Sequence, residues 1–586
     1  MKSKFSNAPI NAFNDPNYIN YVVEYQGDLV SEASLSSKYY ITIINDKYAI
    51  ITAKYENILE NPYNFSKNPF PSIVFISRQY SYAFQGDVSI DKNNESISVS
   101  PIDAANINNV REIEPLKLTG KGTVVGLIGA GIDYLNEEFL NNDGTTRILS
   151  IWDQTIDIEN LEKGVPFGQV FTEEKINEAI KASKEGRSPY DIVETKDDTG
   201  RGTAIASIIG ARGVNPELIG AAPECKFVVV KLSRSIAEEK LLKSKRPLYG
   251  RSVIMLGLQY LYEYALENNV PMVINFPLGT SEGNHKVNGL LEDYIDDICN
   301  NIGIAVITCT GDQGNANNHT SGFIKNVGEY RDVDIYVSEE QKILNVQMWV
   351  DKPNVMSVGV ISPSGRSTGT IPASLNQGDT DKFSLEQTFV SIDYYYPESL
   401  SGDEFINIGF YGLQPGVWKI RIYGDYIIDG NYNLWLFEKS MLFGGTRFTS
   451  PDSYGTITNP STGRYSITVS SYNQTNLDAV SSAGVAFANQ EYNPIDIVAG
   501  GVNAKVAGIN NSIAFANGTA IAGAVVSGAS ALMFQWGIVD KNDKYMYAQT
   551  LKSYLMLGTI KRSTDNYPNP QWGYGILDLL GVFRNI

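Results

Sequence analysis

Apolar positions change their period along the chain, and each change marks a different kind of structure. Tyr18–Tyr25, Tyr39–Ile44, Tyr48–Ala53 and Ser72–Ile76 are short runs rich in Tyr, Ile and Val, which predicts strands. They are too few to bury a large core, so a small α+β unit leaning on a neighbour is expected. Before them, residues 1 to about 17 carry Asn and Pro without a period and read as a flexible lead; after them, Asp91–Asn109 reads as a polar linker. Gly122–Ile128, Phe227–Leu232, Met272–Phe276 and Ile304–Cys309 are continuous apolar runs, as strands buried on both faces are. Helix-period segments separate them: Glu173–Glu185, Thr203–Ala211, Ser252–Asn268 and Leu290–Asn301. This alternation predicts an α/β unit, a mostly parallel sheet with helices on both faces, whose ligands meet the carboxyl ends of the strands. Between about Gly328 and Lys439 the helical signal vanishes. Val333–Val337, Leu344–Val350, Val355–Ile361, Phe389–Tyr395, Glu404–Tyr411, Gly416–Tyr423 and Tyr432–Glu438 alternate between turn residues, which predicts an inserted antiparallel sandwich. The α/β pattern returns with Tyr465–Val469, Ile495–Ala499 and an apolar helix from Gly518 toward Trp536.

Composition narrows the chemistry. The chain has 586 residues, 43% hydrophobic and 19% charged, which fits a globular protein of more than one domain. Its net charge of -18 makes nucleic acid a poor partner. Only two histidines occur, His285 and His319, so histidine-rich metal sites are excluded, and no cofactor or metal is expected. Cys225, Cys299 and Cys309 are odd in number and lack CxxC spacing, so buried free thiols are expected rather than disulfides or a zinc knuckle. Met1–Asn20 lacks the apolar core of a signal peptide, and no uninterrupted apolar stretch approaches the ~20 residues of a membrane span.

Four blocks carry the candidate chemistry: Val125–Asp133 (VGLIGAGID), Thr199–Thr203 (TGRGT), Thr308–Gly314 (TCTGDQG) and Asn517–Ala522 (NGTAIA). Ile274–Gly279 (INFPLG) and Pro494–Ala499 (PIDIVA) support them. Their order resembles that of subtilisin-like serine proteases. The resemblance implies a catalytic Asp at Gly129, a His at Arg201, a Ser at Ala520 and an oxyanion-hole Asn at Asp312; Asp133 matches a second, non-catalytic acidic position. All four functional types are replaced. Ala520 has no nucleophilic oxygen, Arg201 stays protonated, and Gly129 has no carboxylate. Asp312 places an acceptor where an oxyanion needs a donor. Arg201 and Asp312 would line one cleft in that fold, so they either form an ion pair or are solvated separately. An improvised thiol site from Cys309, His319 and Asp312 is weighed against a buried Cys and a loop His. His285 is read as a solvated or hydrogen-bonded loop residue.

The N-terminal unit, the insert between the Asp312 and Ala520 blocks, and Pro271–His285 resemble the Csp germination proteases of clostridial spores, specifically their pseudoprotease group of CspA or CspC type. The resemblance implies residues 1–105 as a flexible lead and retained prodomain, 106–327 and 443–586 as the two parts of a subtilase domain, and 328–442 as a jelly roll. With no self-cleavage, Ser96–Ile102 is expected in or near the substrate groove. The implied role is regulation or germinant-signal sensing in the spore cortex or coat region. Implied partners are an active Csp protease, a second pseudoprotease, the cortex hydrolase precursor, and a small molecule or Ca²⁺ as signal. A protease with an unorthodox nucleophile and a purely structural partner are the competing readings.

Overall fold

The computed structural model describes residues 5–54, 70–89, 99–158, 164–488 and 492–586. At its centre, parallel strands run in the order Ile467–Asn473, Ile304–Cys309, Met272–Phe276, Val124–Gly129, Lys226–Lys231 and Ile148–Asp153. Val124–Gly129 and Met272–Phe276 are buried throughout, which is why they read as unbroken apolar runs. From the central strand Val124–Gly129 the chain first builds one flank and then crosses to Met272–Phe276 on the other. That reversal leaves a crevice at the carboxyl ends, beside Gly129.

Helices cover both faces. Thr519–Phe534 is buried along its whole length, because GTAIAGAVVSGASALMF carries small and apolar residues on every side. Together with its extension to Val539 it is, among the described residues, the one helix long and apolar enough to cross a membrane. Here it is the core helix of the domain, packed against the central sheet.

The insert consists of a six-stranded and a four-stranded antiparallel sheet, and Val346, Met348, Ile406 and Phe410 of one share a core with Val358, Trp418, Ile420 and Ile422 of the other. It extends beyond the expected 328–442. His319–Phe323 forms an edge strand of the larger sheet, and Arg447–Phe448 an edge of the smaller. Both are short and lack apolar alternation, so periodicity missed them. Gly378–Phe383 (GDTDKF) is a strand for which the sequence offers a single apolar residue.

The N-terminal sheet has the order Tyr39–Ile43, Tyr48–Lys54, Tyr18–Tyr25, Ile73–Ile76. One face joins the central core through Val22, Tyr48 and Ile50, with Tyr48 edge-on to Tyr294 of the Leu290–Cys299 helix at 5.6 Å. The lead is anchored rather than flexible over its described part. Phe13 is only 7% exposed and stacks on Phe167 at 4.2 Å, while the Asn14 amide donates to the Gln154 carbonyl. The segment read as a linker also carries structure. Pro101–Ala104 and Ile107–Glu112 are helices that bury Ile102, Ile107 and Val110.

Both histidines sit where the insert joins the core. Trp435 is stacked between His285 at 4.2 Å and His319 at 4.7 Å. His319 is thus a buried strand residue, and His285 a buried loop residue whose ring nitrogens lie 2.6 Å from the Ile457 carbonyl and 2.9 Å from that of Ser281. Burial pushes the His285 imidazole down to about 4 from 6.5. Below its ordinary value the unfolded chain therefore binds a proton that the folded chain refuses, so this group removes stability as pH falls from 6.5 toward about 4. In thermal unfolding across that range, His285→Gln should show a shallower loss than the parent; equal slopes would contradict the assignment.

Candidate functional site

Gly129 ends the central strand at the crevice, and a segment of the N-terminal unit lies across it. Ser81–Phe84 inserts as a strand between Leu248–Gly250 and Leu278–Gly279, antiparallel to both. Two edges that would otherwise present unpaired backbone groups are thereby closed. Beyond Gln85 and Gly86, Asp87–Ser89 pairs antiparallel with Ile513–Asn517, the strand that leads into the Thr519–Phe534 helix. The groove is filled on both sides of the crevice by one continuous backbone.

Gln85 anchors the crossing. Its amide N–H donates to the Pro277 carbonyl at 3.0 Å, and its Oε1 accepts from the Asp312 backbone N–H at 3.0 Å. Its Nε2 donates to the Ala83 carbonyl at 2.9 Å. Gly86 follows with φ +98°, and a Cβ there would lie 2.6 Å from the Asn517 carbonyl oxygen, so the close crossing requires glycine. The Phe84 ring fills space beside Gly129; a Cβ on Gly129 would meet its Cζ at 2.4 Å.

Gly129, Arg201 and Asp312 meet this crossing, but Arg201 and Asp312 do not form the ion pair weighed above. Arg201, at the start of the Arg201–Gly210 helix, donates through Nη1 to the Gly86 carbonyl at 3.0 Å, and its Nη2 lies 3.5 Å from Asp87 Oδ1. Arg246 donates to the same Asp87 oxygen at 2.7 Å and to the Phe84 carbonyl at 2.8 Å. Burial, then the like charge of Arg246, lowers the Arg201 guanidinium from its ordinary value. Asp312 instead caps the long helix: its Oδ1 accepts from the Thr519 N–H at 3.1 Å and from Thr519 Oγ1 at 3.3 Å. Among the described residues no ion pair joins Arg201 to Asp312, because each is already held by a nearer partner. Ala520, one residue into the helix, is 4% exposed.

Other expected positions lie apart. Asp133 accepts from the Asn510 and Leu135 amides, and burial raises its carboxyl. Cys309 packs near Asp312 and Thr519, whereas His319 contacts Trp435, Asn433 and Asp452, so no thiol–imidazole pair forms. Burial pushes the Cys309 thiol up to about 12. Of Ser96–Ile102, the described residues Val99–Ile102 lie outside the groove. Ser96–Ser98 lie outside the described residues, and Val99 accepts from Gln474 Nε2 while Pro101 packs near Gly500. Among the described residues, the segment that pairs with these edges is Ser81–Phe84. Sequence reasoning missed Phe84, Gln85, Asp87 and Arg246, whose roles depend on chain crossings. It also missed Asp197, whose Oδ1 accepts from the Gly200 N–H at 2.9 Å and whose Oδ2 accepts from the Thr203 N–H at 2.9 Å, fixing the loop that presents Arg201. The one available signal was Asp197's place four residues before Arg201.

With this geometry in place, comparison with known proteins is decisive for the family. The subtilase family model matches residues 120–388 and 430–575. The chain belongs to the subtilase family. The solved structure of the Clostridium perfringens CspB protease is similar to this subtilase at 29% identity and TM-score 0.73, covering 82% of this chain and 98% of its own. Fervidolysin from Fervidobacterium pennivorans, a keratinolytic enzyme related to subtilisin, is a weaker likeness at 10% identity and TM-score 0.48, covering 97% of this chain and 61% of its own. No curated protein sequence matches.

The clamp on Gly86 and Asp87 is testable. Asp87 is 67% exposed, so its ion pairs contribute only about 0–1 kcal/mol each, whereas the Arg201 bond to the Gly86 carbonyl is charge-assisted and partly buried, worth about 1.5–3 kcal/mol. Arg201→Ala should therefore accelerate amide exchange at Gly86–Ser89 more than Asp87→Ala does, measured by hydrogen–deuterium exchange. The reverse ranking would contradict the clamp.

Proposed function

We propose that this subtilase is a catalytically inactive pseudoprotease that acts as a regulatory or germinant-signal-sensing binding protein in bacterial spore germination. The observation that supports inactivity is the environment of the Gln85–Gly86 crossing. Where the family's chemistry needs a nucleophile, a base and a carboxylate, this chain brings Ala520, Arg201 and Gly129. A guanidinium on the Gly86 carbonyl holds the strand but accepts no proton. Asp312, at the oxyanion-hole position, directs its carboxylate to the Thr519 amide.

The remaining architecture favours recognition. The groove is occupied from within, so an exchangeable peptide substrate has no free strand edge to join, and the insert and outer surfaces remain for contact. Similarity to the CspB protease supports a role in the spore; in this reading the partners are an active Csp protease, a second pseudoprotease or the cortex hydrolase precursor, with a small-molecule or Ca²⁺ signal upstream. A purely structural role would leave germinant response unchanged when outer surfaces are altered at constant partner levels. A protease with another nucleophile would label with a fluorophosphonate or cysteine-directed probe at the crevice.

Two measurements test the proposal. Mass spectrometry of the purified recombinant chain should find the Gln85–Gly86 bond intact after prolonged incubation, and fluorophosphonate should leave the protein unlabelled; a fragment ending at Gln85 would overturn inactivity. Restoring the four residue types together (Gly129→Asp, Arg201→His, Asp312→Asn, Ala520→Ser) should not produce self-cleavage while Phe84 stands, since its ring occupies the space that any side chain replacing the Gly129 hydrogen would need. Any recovery of cleavage should need Phe84→Ala in addition.

A further inference from the structure

A second cavity, distinct from the occupied groove, lies where the N-terminal unit meets the core. Its volume is about 340 Å³, and its walls include Ile19, Glu238, Leu241, Gly250, Ser252 and Val253. That falls within the ~300–1,000 Å³ range of small-molecule sites. Three features of the wall differ in chemistry.

The first is the N-terminus of the eighteen-residue Arg251–Asn268 helix, which opens into the cavity through Gly250, Ser252 and Val253. Its N-cap is Gly250, with no side chain to accept from the first-turn amides, and no residue in that turn is acidic. These amides and the helix dipole attract a carboxylate. The second, independent feature is Ser252 itself. It is only 5% exposed, yet among the described residues its hydroxyl has no hydrogen-bond partner, and it borders the cavity. The oxygen itself is not fully enclosed, so it is open to a donor or acceptor that enters the cavity.

The third feature is of opposite sign. Glu238 borders the cavity, its Oε2 accepting from Ser81 Oγ at 2.8 Å. The other charged groups on the wall are engaged elsewhere: Arg234 pairs with Glu239 at 2.6 Å, and Asp15 accepts from the Asn17 amides. Ile19, Val253 and Leu241 supply apolar surface, and Leu241 is 57% exposed at the mouth. A plain carboxylate would meet Glu238, and a plain amine would meet the helix terminus; only a molecule carrying both charges satisfies both ends.

We propose that this cavity binds a small zwitterion with an apolar body, its carboxylate on the free first-turn amides and Ser252 hydroxyl, its ammonium on Glu238, and its body against Ile19, Val253 and Leu241. Glu238 links the site to Ser81, so an occupant held by Glu238 would sit one side chain away from the base of the strand that fills the groove. It does not depend on the crevice being inactive.

Isothermal titration of the intact chain with L-norvaline, pentanoate and butylamine separates the contributions of the two charges. L-norvaline should bind at one site per chain, and each single-charge probe should bind roughly tenfold more weakly or worse. Gly250 has φ -79° and ψ 153°, and a Cβ there meets only ordinary contacts at 3.5 Å and 3.7 Å, so Gly250→Asp can supply the missing cap. That variant should raise the unfolding temperature without ligand and abolish L-norvaline binding, while Glu238→Gln should weaken L-norvaline toward the pentanoate level. No binding of L-norvaline at millimolar concentration, pentanoate binding as tightly, or undiminished binding in a more stable Gly250→Asp protein would each overturn the proposal. Because titration reads the cavity alone, these outcomes stand whether or not the crevice proves able to cleave peptide bonds.

Discussion

The cleft depends on the backbone pairing of Ser81–Phe84 between two strand edges of the core. Exposed edges with free N–H and C=O groups are open to pairing with another chain, and here the chain's own N-terminal unit supplies the missing strand. Once that strand is seated, the path of the next residues is constrained. Gly86 must pass within contact of Asn517 and Gly518, which only glycine allows, and Asp87 must emerge alongside Ile513–Asn517. The local side chains are then arranged around an uninterrupted polypeptide.

Charge in the cleft follows from that arrangement. Arg201 and Arg246 would repel one another across a small space, but both reach Asp87 and each also takes a carbonyl of the crossing strand. Asp312 finds backbone and hydroxyl donors at the start of the long buried helix. Arg201 and Asp312 thus each have a structural role. Such contacts hold the crossing strand in place.

The seam between core and insert follows a different physical rule. Trp435 brings together the only two histidines in the chain by stacking, and burial, more than any neighbouring charge, pushes both imidazoles below their ordinary value. The pH dependence of this seam is therefore separate from the salt-sensitive clamp at the crevice.

Much of the core was legible from the sequence, because a strand buried on both faces must be apolar along its length, and Met272–Phe276 and Ile304–Cys309 match their predicted limits to the residue. The glycine-flanked blocks fall at element ends, where Gly129 closes a strand, Arg201 opens a helix and Ala520 lies one residue into another, since tight turns there restrict which residues fit. Edge strands such as Gly378–Phe383 were illegible because one solvated side removes the apolar alternation. Phe13 was read as part of a flexible lead because its partner Phe167 is more than a hundred residues away. The occupant of the groove was likewise hidden: Gln85, Asp87 and Arg246 have ordinary local contexts, and their roles arise only where three distant segments cross. By itself the sequence determined which chemical groups are present at the crevice. Tertiary structure decided what those groups hold, because hydrogen bonds and ion pairs go to the nearest satisfied geometry and not to the nearest residue in the chain.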